Sequence, residues 1–150
     1  MPFEYFGENS DIVKIKKSNI PNGGKGLFAT KSIKKGDFIC WYFGVLIEAS
    51  FVENGYYDSD YLLKSPNTNL VIDANDPKSC FGRYINDSLS LQKNNARYEF
   101  YDDTTSVGII ATKNIKKSEE IYMSYGADYW LENRRYNLLS NTNKQYVDDY

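Results

Sequence analysis

The sequence predicts a mainly β domain with short helices. Up to about residue 126, short apolar runs alternate with turn residues, and no long stretch has the periodicity of a helix. The chain also repeats one hairpin pattern: residues 29–37 and 111–119 both read Ala-Thr-Lys, one further residue, Ile-Lys-Lys, a turn residue and an acid. We therefore expect two similar β-hairpin modules, residues 27–38 and 110–121, packed in one domain, since two repeats are too few for a solenoid.

The strands and turns follow from these runs. Strands are expected at residues 13–15, 26–29, 38–42 with a continuation to 47, 70–73, 97–101, 107–111 and 120–124. Turn residues place turns at 21–24, 34–37 and 116–118. Helices are predicted at residues 48–63, although Gly55 weakens that segment, and at residues 127–139, before a polar tail.

Length and hydropathy fit one soluble domain. The chain has 150 residues, of which 41% are hydrophobic, which is enough for one buried core. Its longest apolar runs, such as residues 38–43, are far shorter than the roughly 20 residues of a membrane span. Residues 1–4 lack the basic start and apolar core of a signal peptide. We expect an intracellular protein that does not enter a membrane.

Charge and cysteine content restrict the partners. A net charge of -2 argues against direct nucleic-acid binding through a broad basic surface, and a basic peptide is the more natural partner. Cys40 and Cys80 stand alone and the chain has no histidine, so no metal site is expected. Both cysteines are predicted to be buried free thiols rather than a disulfide.

Three motifs follow one another in a fixed order. Residues 24–28 read Gly-Lys-Gly-Leu-Phe, residues 83–88 read Arg-Tyr-Ile-Asn-Asp-Ser, and residues 119–126 read Glu-Glu-Ile-Tyr-Met-Ser-Tyr-Gly. Together they resemble the SET-domain family of protein lysine methyltransferases, which carry Gly-x-Gly-hydrophobic-Phe, Arg-Phe-x-Asn-His-Ser and Glu-Glu-Leu-x-x-x-Tyr-Gly. The resemblance implies a SET-domain fold of the β-clip type with a C-terminal pseudoknot.

The same resemblance divides the chain into three parts. Residues 1–12 would be an N-terminal lead and residues 13–126 the SET domain. Residues 127–150, a helix and a polar tail, would close the cofactor site. This closure would replace the cysteine-rich zinc module that many SET proteins carry after the domain, so the chain resembles a minimal SET domain.

The resemblance implies S-adenosylmethionine as the cofactor. The glycine turn would cradle it through Lys25, Gly26 and Leu27, although a plain glycine-rich β-turn explains this segment equally well. Asn86 would hydrogen-bond the methionine end, and the backbone of Asp87 would meet the adenine edge. Other residues of the family's cofactor site correspond to Tyr61, Arg83, Tyr125 and Trp130. For Tyr61 and Trp130, core or helix packing is an equally good explanation.

Two positions depart from the family pattern. Asp87 stands where the family has histidine, and Asn94 stands where it has proline. Because the family uses that histidine partly through its main chain, Asp87 is compatible with the same contact. Its carboxylate would, however, lie near a cationic cofactor and change the affinity for it.

Three tyrosines match the methyl-transfer centre of the family: Tyr125 in the Tyr-Gly motif, Tyr42 and Tyr98. Their rings would form a narrow apolar tube with polar tips, which suits the stem and amine of a lysine. Each ring alone is also compatible with ordinary core packing. Related enzymes place a product-determining aromatic two residues before the catalytic tyrosine, where this chain has Met123. If Tyr98 supplies the phenol instead and narrows the tube, the product is monomethyl-lysine.

The implied function is transfer of a methyl group from S-adenosylmethionine to a lysine, most simply on a histone tail. Four acids precede the catalytic strands: Glu48, Glu53, Asp58 and Asp60. They would receive a basic peptide, unless they are only solvated surface. Two alternatives remain, a non-catalytic peptide-binding module, suggested by Asp87 and Ser124, and a methyltransferase for a non-histone protein. A nuclear location, or a host cell for a viral protein, and a homodimer are compatible with this function.

Overall fold

The computed structural model describes residues 8–66, 68–101, 106–126 and 129. Its elements are, in chain order, β1 (Val13–Lys17), β2 (Lys25–Ala29), β3 (Phe38–Tyr42), β4 (Val45–Glu48), α1 (Ala49–Glu53), β5 (Leu62–Lys64), β6 (Leu70–Asp73), a 3-10 turn (Gly82–Tyr84), β7 (Ala96–Phe100), β8 (Val107–Ala111) and β9 (Glu120–Ile121). The prediction of a mainly β domain with short helical segments is confirmed.

The described strands form three antiparallel sheets of three strands each. Their strand orders are β1-β2-β9, β3-β8-β7 and β4-β6-β5. Inward-facing residues from all three sheets join one apolar core, in which Leu27, Ile109 and Ile121 are fully buried. Each such side chain contributes about 1.5–3 kcal/mol of stability relative to an exposed position.

The two repeated modules pair with each other through equivalent residues. Ile33 and Ile115 exchange both backbone N–H···O hydrogen bonds at 2.8 Å. In each module the backbone N–H of an alanine also donates to the carbonyl of the acid after the turn of the other, at 3.0 Å from Ala29 to Glu119 and 2.9 Å from Ala111 to Asp37. This reciprocal pairing sets β9, which follows the second turn, alongside β2 of the first module.

The segment after β9 lies between two earlier parts of the chain. The backbone N–H of Met123 donates to the carbonyl of Asn86 at 2.9 Å. The carbonyl of Tyr122 accepts the N–H of Ala96, the first residue of β7, at 3.0 Å. Strand β9 therefore ends at Ile121 rather than at residue 124, because the next residues pair as isolated bridges. This insertion of the C-terminal segment is what the expected pseudoknot requires.

The predicted continuation of β3 to residue 47 is interrupted at Phe43 and Gly44. Strand β4 leaves the sheet of β3 and pairs with β6 instead. The crossing is tight, since a Cβ at Gly44 would lie 2.0 Å from the carbonyl oxygen of Asp73. Only glycine allows the two backbones to approach this closely.

The predicted helix at residues 48–63 is wrong beyond Glu53. Gly55 takes a φ of 77°, which ends α1, and Leu62–Lys64 form β5. Between them, the hydroxyl of Ser59 donates to the carboxylate of Asp73 at 2.8 Å, and the hydroxyl of Tyr57 donates to the same group. The segment is thus bound to β6 rather than continued as a helix. The second predicted helix, residues 127–139, lies outside the described residues apart from Tyr129, which is helical.

Buried thiols and a buried acid complete the core. Cys40 and Cys80 are free and buried, as predicted, and burial raises the pKa of both thiols. Glu8, in the expected N-terminal lead, accepts the backbone N–H of Trp41 at 2.5 Å and that of Phe81 at 3.2 Å. In the described part of the chain, no helix is long and apolar enough to cross a membrane, and no acidic or cysteine cluster has the make-up of a metal site.

The close approach at Gly44 predicts a large loss of stability in Gly44→Ala. The added methyl must displace the backbone of β6, so we expect the free energy of unfolding to fall by about 3 kcal/mol. Gly36→Ala is the matched control: its Cβ meets open space, and the φ of 91° alone would cost about 1–2 kcal/mol. Urea denaturation of both variants measures the difference, and equal losses would contradict the account of the β3–β4 crossing.

Candidate active site

The turn between β1 and β2 borders a cleft of about 840 Å³. This volume lies within the range of small-molecule sites. Three lysines line it, Lys16, Lys17 and Lys25, together with the glycines of the turn. Leu27, predicted to contact the cofactor, is fully buried and pairs with both β1 and β9, so its cofactor contact stays a prediction.

Gly26 lies directly against a buried carboxylate. A Cβ at this position would be 2.4 Å from an oxygen of Glu120, which is only 3% exposed. The second glycine of the Gly-Lys-Gly turn is therefore required by packing. Its lack of a side chain lets β2 and β9 enclose the carboxylate.

Glu120 collects hydrogen bonds from three segments of the chain, and we call these residues the Glu120 cluster. One oxygen accepts the hydroxyl of Ser18 at 2.7 Å and the amide nitrogen of Asn86 at 3.4 Å. The other accepts the backbone N–H of Asn19 at 2.7 Å and the hydroxyl of Tyr122 at 3.1 Å. Burial, and then Glu120, raise the pKa of Tyr122 to about 12, so its hydroxyl stays a donor at neutral pH.

Tyr42, Tyr98 and Tyr125, here called the tyrosine cluster, come together from β3, β7 and the C-terminal segment. The rings of Tyr42 and Tyr98 stand perpendicular, with centroids 5.7 Å apart. The hydroxyl of Tyr42 donates to the carbonyl of Tyr61 at 2.8 Å, and that of Tyr125 donates to the carbonyl of Ile85 at 2.6 Å. These bonds fix the direction of two phenol groups.

Burial raises the pKa of all three phenols above the ordinary value. Tyr98 adds to the increase for Tyr42 and, after Tyr129, to that for Tyr125. All three side chains therefore remain protonated at neutral pH, so none of them is a phenolate base. They can still position a polar group through their hydroxyl oxygens.

Asp87 supports Tyr125 through the main chain. Its carboxylate is 5% exposed and accepts the backbone N–H of Tyr125 at 3.1 Å and that of Leu89 at 2.8 Å. It also accepts the side-chain amide of Asn94 at 3.2 Å. The two departures from the SET pattern, at 87 and 94, are thus hydrogen-bonded to each other. Residues 85–87 hold Tyr125 both at its hydroxyl and at its backbone N–H.

Arg83 is engaged within the protein. Its Nε donates to the carbonyl of Ala74 at 2.7 Å, and its guanidinium lies 4.1 Å from the ring centre of Tyr61 and 4.7 Å from that of Tyr84. This arrangement packs Tyr61 beside the tyrosine cluster. Direct cofactor contacts of Arg83 and Tyr61 stay predictions.

Trp130 lies outside the described residues, so its contact with the adenine also stays a prediction. Its neighbour Tyr129 is described, with a ring 4.7 Å from that of Tyr125. Tyr129 therefore packs on the tyrosine cluster.

Sequence reasoning assigned no role to Glu120 or Ser18. Glu120 was visible as the second acid of the Glu-Glu motif, next to the apolar Ile121. An acid at the start of a short buried strand is a signal for a buried carboxylate, but its partner Ser18 lies 102 residues away. Ser18 itself belongs to none of the three motifs.

Known proteins resemble this chain over most of its length. An Arabidopsis thaliana protein provisionally named histone-lysine N-methyltransferase ASHH4 is 32% identical over 128 residues, covering 78% of this chain and 36% of that protein. The N-lysine methyltransferase KMT5A-A of Xenopus laevis is 29% identical, covering 79% of this chain and 40% of that protein. The chain thus spans between a third and a half of the length of these curated relatives.

The fold and the family model agree with these relatives. The methyltransferase domain of human PR domain-containing protein 2 matches with a TM-score of 0.62 and 25% identity over 78% of both chains. This match confirms the expected SET-domain fold. The family model for the SET domain matches residues 24–126, which include all three motifs. The chain belongs to the SET-domain family.

Proposed function

We propose that this chain is a protein-lysine N-methyltransferase that uses S-adenosylmethionine and acts on a histone tail. The observation that carries the proposal is the convergence of the tyrosine cluster, contributed by three distant segments. Packing alone does not require three phenols together, two of which donate their hydroxyls to backbone carbonyls. Two of the relatives are named a histone-lysine N-methyltransferase and an N-lysine methyltransferase, and these names support the same reaction.

The residues around the glycine turn fit the proposed cofactor. Asn86 offers an amide that is bound to the carbonyl of Lys25, and the cleft that Lys25 lines has the volume of a small-molecule site. When bound, S-adenosylmethionine supplies an activated methyl group and a sulfonium charge that disfavours a second cation beside it. We assign the methionine end to Asn86 and to the backbone of residues 25–27.

The substrate lysine must lose a proton before it accepts a methyl group. With a pKa of about 10.4, only about 0.4% of a free lysine is neutral at pH 8. Since Tyr42, Tyr98 and Tyr125 stay protonated, none of them removes this proton. Their rings instead exclude water from the amine, which lowers its pKa by desolvation. The Tyr125 hydroxyl and the Ile85 carbonyl then orient the neutral amine.

Charge supports a basic peptide as the substrate. Glu48, Glu53, Asp58 and Asp60 are all exposed, and they lie between β4 and β5. A histone tail carries many positive charges, and surface charges of opposite sign accelerate such encounters. A histone substrate would place the protein in the nucleus. Residues 127–150 remain the proposed closure of the cofactor site.

Asp87 does not favour the alternative of a non-catalytic module. A disabled site has no need for a buried carboxylate that holds Tyr125. The hydrogen bonds of Asp87 to Tyr125, Leu89 and Asn94 instead stabilise the position that the reaction requires.

We expect Tyr125→Phe to lose about 100-fold or more in methyl transfer, because it removes the hydroxyl that aligns the amine. Its affinity for S-adenosylhomocysteine should stay within about threefold, since the ring remains. The measurement is the intact mass of mixed core histones after incubation with S-adenosylmethionine, together with calorimetric binding of S-adenosylhomocysteine.

Tyr56→Phe is the control, because Tyr56 is 79% exposed and outside the tyrosine cluster. Full transfer by Tyr125→Phe would contradict the role of this residue. Binding of S-adenosylhomocysteine without methyl transfer to any histone would indicate that the substrate is a non-histone protein. No binding by the wild type would contradict the proposed enzyme.

Tyr98 is expected to limit the product to monomethyl-lysine. Tyr98→Phe removes one hydroxyl from the cluster and leaves room for a second methyl group. We therefore predict that the wild type adds one methyl group per target lysine and that the variant adds two. Tyr101→Phe, on the exposed end of the same strand region, should behave as the wild type. Dimethylated product from the wild type, measured by peptide mass spectrometry, would contradict the prediction.

A further inference from the structure

The side-chain amide of Asn86 has one orientation. Its nitrogen lies 3.0 Å from the carbonyl oxygen of Lys25 and 3.4 Å from a carboxylate oxygen of Glu120. Both of these atoms can only accept hydrogen bonds, so the nitrogen and not the oxygen of the amide must face them. The amide oxygen accepts no hydrogen bond from residues 8–66, 68–101, 106–126 or 129. Because Asn86 is partly exposed, this oxygen is left for a donor on a ligand.

We propose that Glu120 is a positioning residue for the cofactor. It fixes the amide of Asn86 so that the amide oxygen accepts a hydrogen bond from the ammonium group of the cofactor's amino-acid end. This inference rests on the proposed function, because it takes S-adenosylmethionine as the ligand of the cleft. Glu120 is not itself in contact with the ligand and acts through Asn86.

The hydrogen bonds of Glu120 favour one arrangement of its carboxylate. All of its described partners donate to it, and they come from the turn after β1, from Asn86 and from Tyr122. An ionised carboxylate is an acceptor at both oxygens, which suits this set of partners. A negative charge behind Asn86 also favours an ammonium group in front of it.

The opposite charge is present in the neighbouring cleft. Lys16, Lys17 and Lys25 line that cleft, and the carbonyl of Lys25 accepts the Asn86 amide. An amino-acid end carries a carboxylate as well as an ammonium group. The surroundings therefore offer both signs of charge to a zwitterion. A nucleoside without the amino-acid end would gain nothing from either.

Glu120→Gln tests the proposal with little change in shape. The variant loses the charge and replaces one acceptor oxygen by an NH₂ donor, which must then face groups that are themselves donors. The Asn86 amide is no longer held in one orientation. Two ligands separate this effect from a general loss of the site: S-adenosylhomocysteine, which has the amino-acid end, and 5′-methylthioadenosine, which is the same nucleoside thioether without it.

We expect calorimetry to show that Glu120→Gln binds S-adenosylhomocysteine about 10-fold or more weakly than the wild type. Binding of 5′-methylthioadenosine should change by less than about threefold. Glu119→Gln is the matched control in the same Glu-Glu pair, since Glu119 is exposed and its side chain accepts only the backbone N–H of Lys116 in the described hydrogen bonds. It should bind both ligands as the wild type does.

A double-mutant cycle tests whether Glu120 acts through Asn86. If it does, Glu120→Gln combined with Asn86→Ala binds S-adenosylhomocysteine no more weakly than Asn86→Ala alone. Circular dichroism and thermal melting check that each variant folds. Should Glu120→Gln fail to fold, Asn86→Ala still decides: wild-type affinity for S-adenosylhomocysteine in that variant would overturn the proposal.

The outcomes distinguish a failure of the positioning role of Glu120 from a failure of the proposed function. If the wild type binds S-adenosylhomocysteine but Glu120→Gln binds it equally well, or loses both ligands to the same extent, the positioning role fails and the proposed function stands. If the wild type binds neither ligand, both fail. Selective loss of S-adenosylhomocysteine, together with a non-additive cycle, supports the positioning role.

Discussion

The reciprocal pairing of the two repeated modules determines where the C-terminal residues of the site lie. The backbone exchange between Ile33 and Ile115 holds the second module against the first, so that β9 joins β2 as the third strand of its sheet. Within a few residues the chain then contacts the glycine turn, through Glu120, and enters the tyrosine cluster, through Tyr125. The repeat therefore positions residues of the site as well as pairing the strands of the fold.

Two buried carboxylates fix the positions of the site residues relative to the strands. Glu120 holds the glycine turn and Asn86, while Asp87 holds the backbone of Tyr125. A buried charge without partners is strongly destabilising, so each carboxylate favours the one arrangement in which its donors are all present. The two acids act on opposite ends of one short path, from the proposed cofactor cradle to the proposed lysine site.

The sequence predicts what depends on local pattern and misses what depends on contacts between distant segments. The strands of both modules follow from apolar runs and turn residues, and the three motifs identify Tyr125 and Asn86. The end of α1 at Glu53 depends on the φ of Gly55 and on hydroxyl bonds to Asp73, and the break at Gly44 depends on the backbone of β6. Neither contact is visible in local sequence. Glu120 was missed for the same reason, since its partners are Ser18 and Asn86.

The central claim is that the tyrosine cluster receives the side chain of a substrate lysine. The most direct measurement is a crystal structure with S-adenosylhomocysteine and a lysine-containing histone peptide. We predict that the lysine nitrogen lies about 3 Å from the Tyr125 hydroxyl or the Ile85 carbonyl, with its stem between the rings of Tyr42 and Tyr98. A peptide bound with its lysine outside this cluster, while the three rings stay packed on one another, would contradict the account.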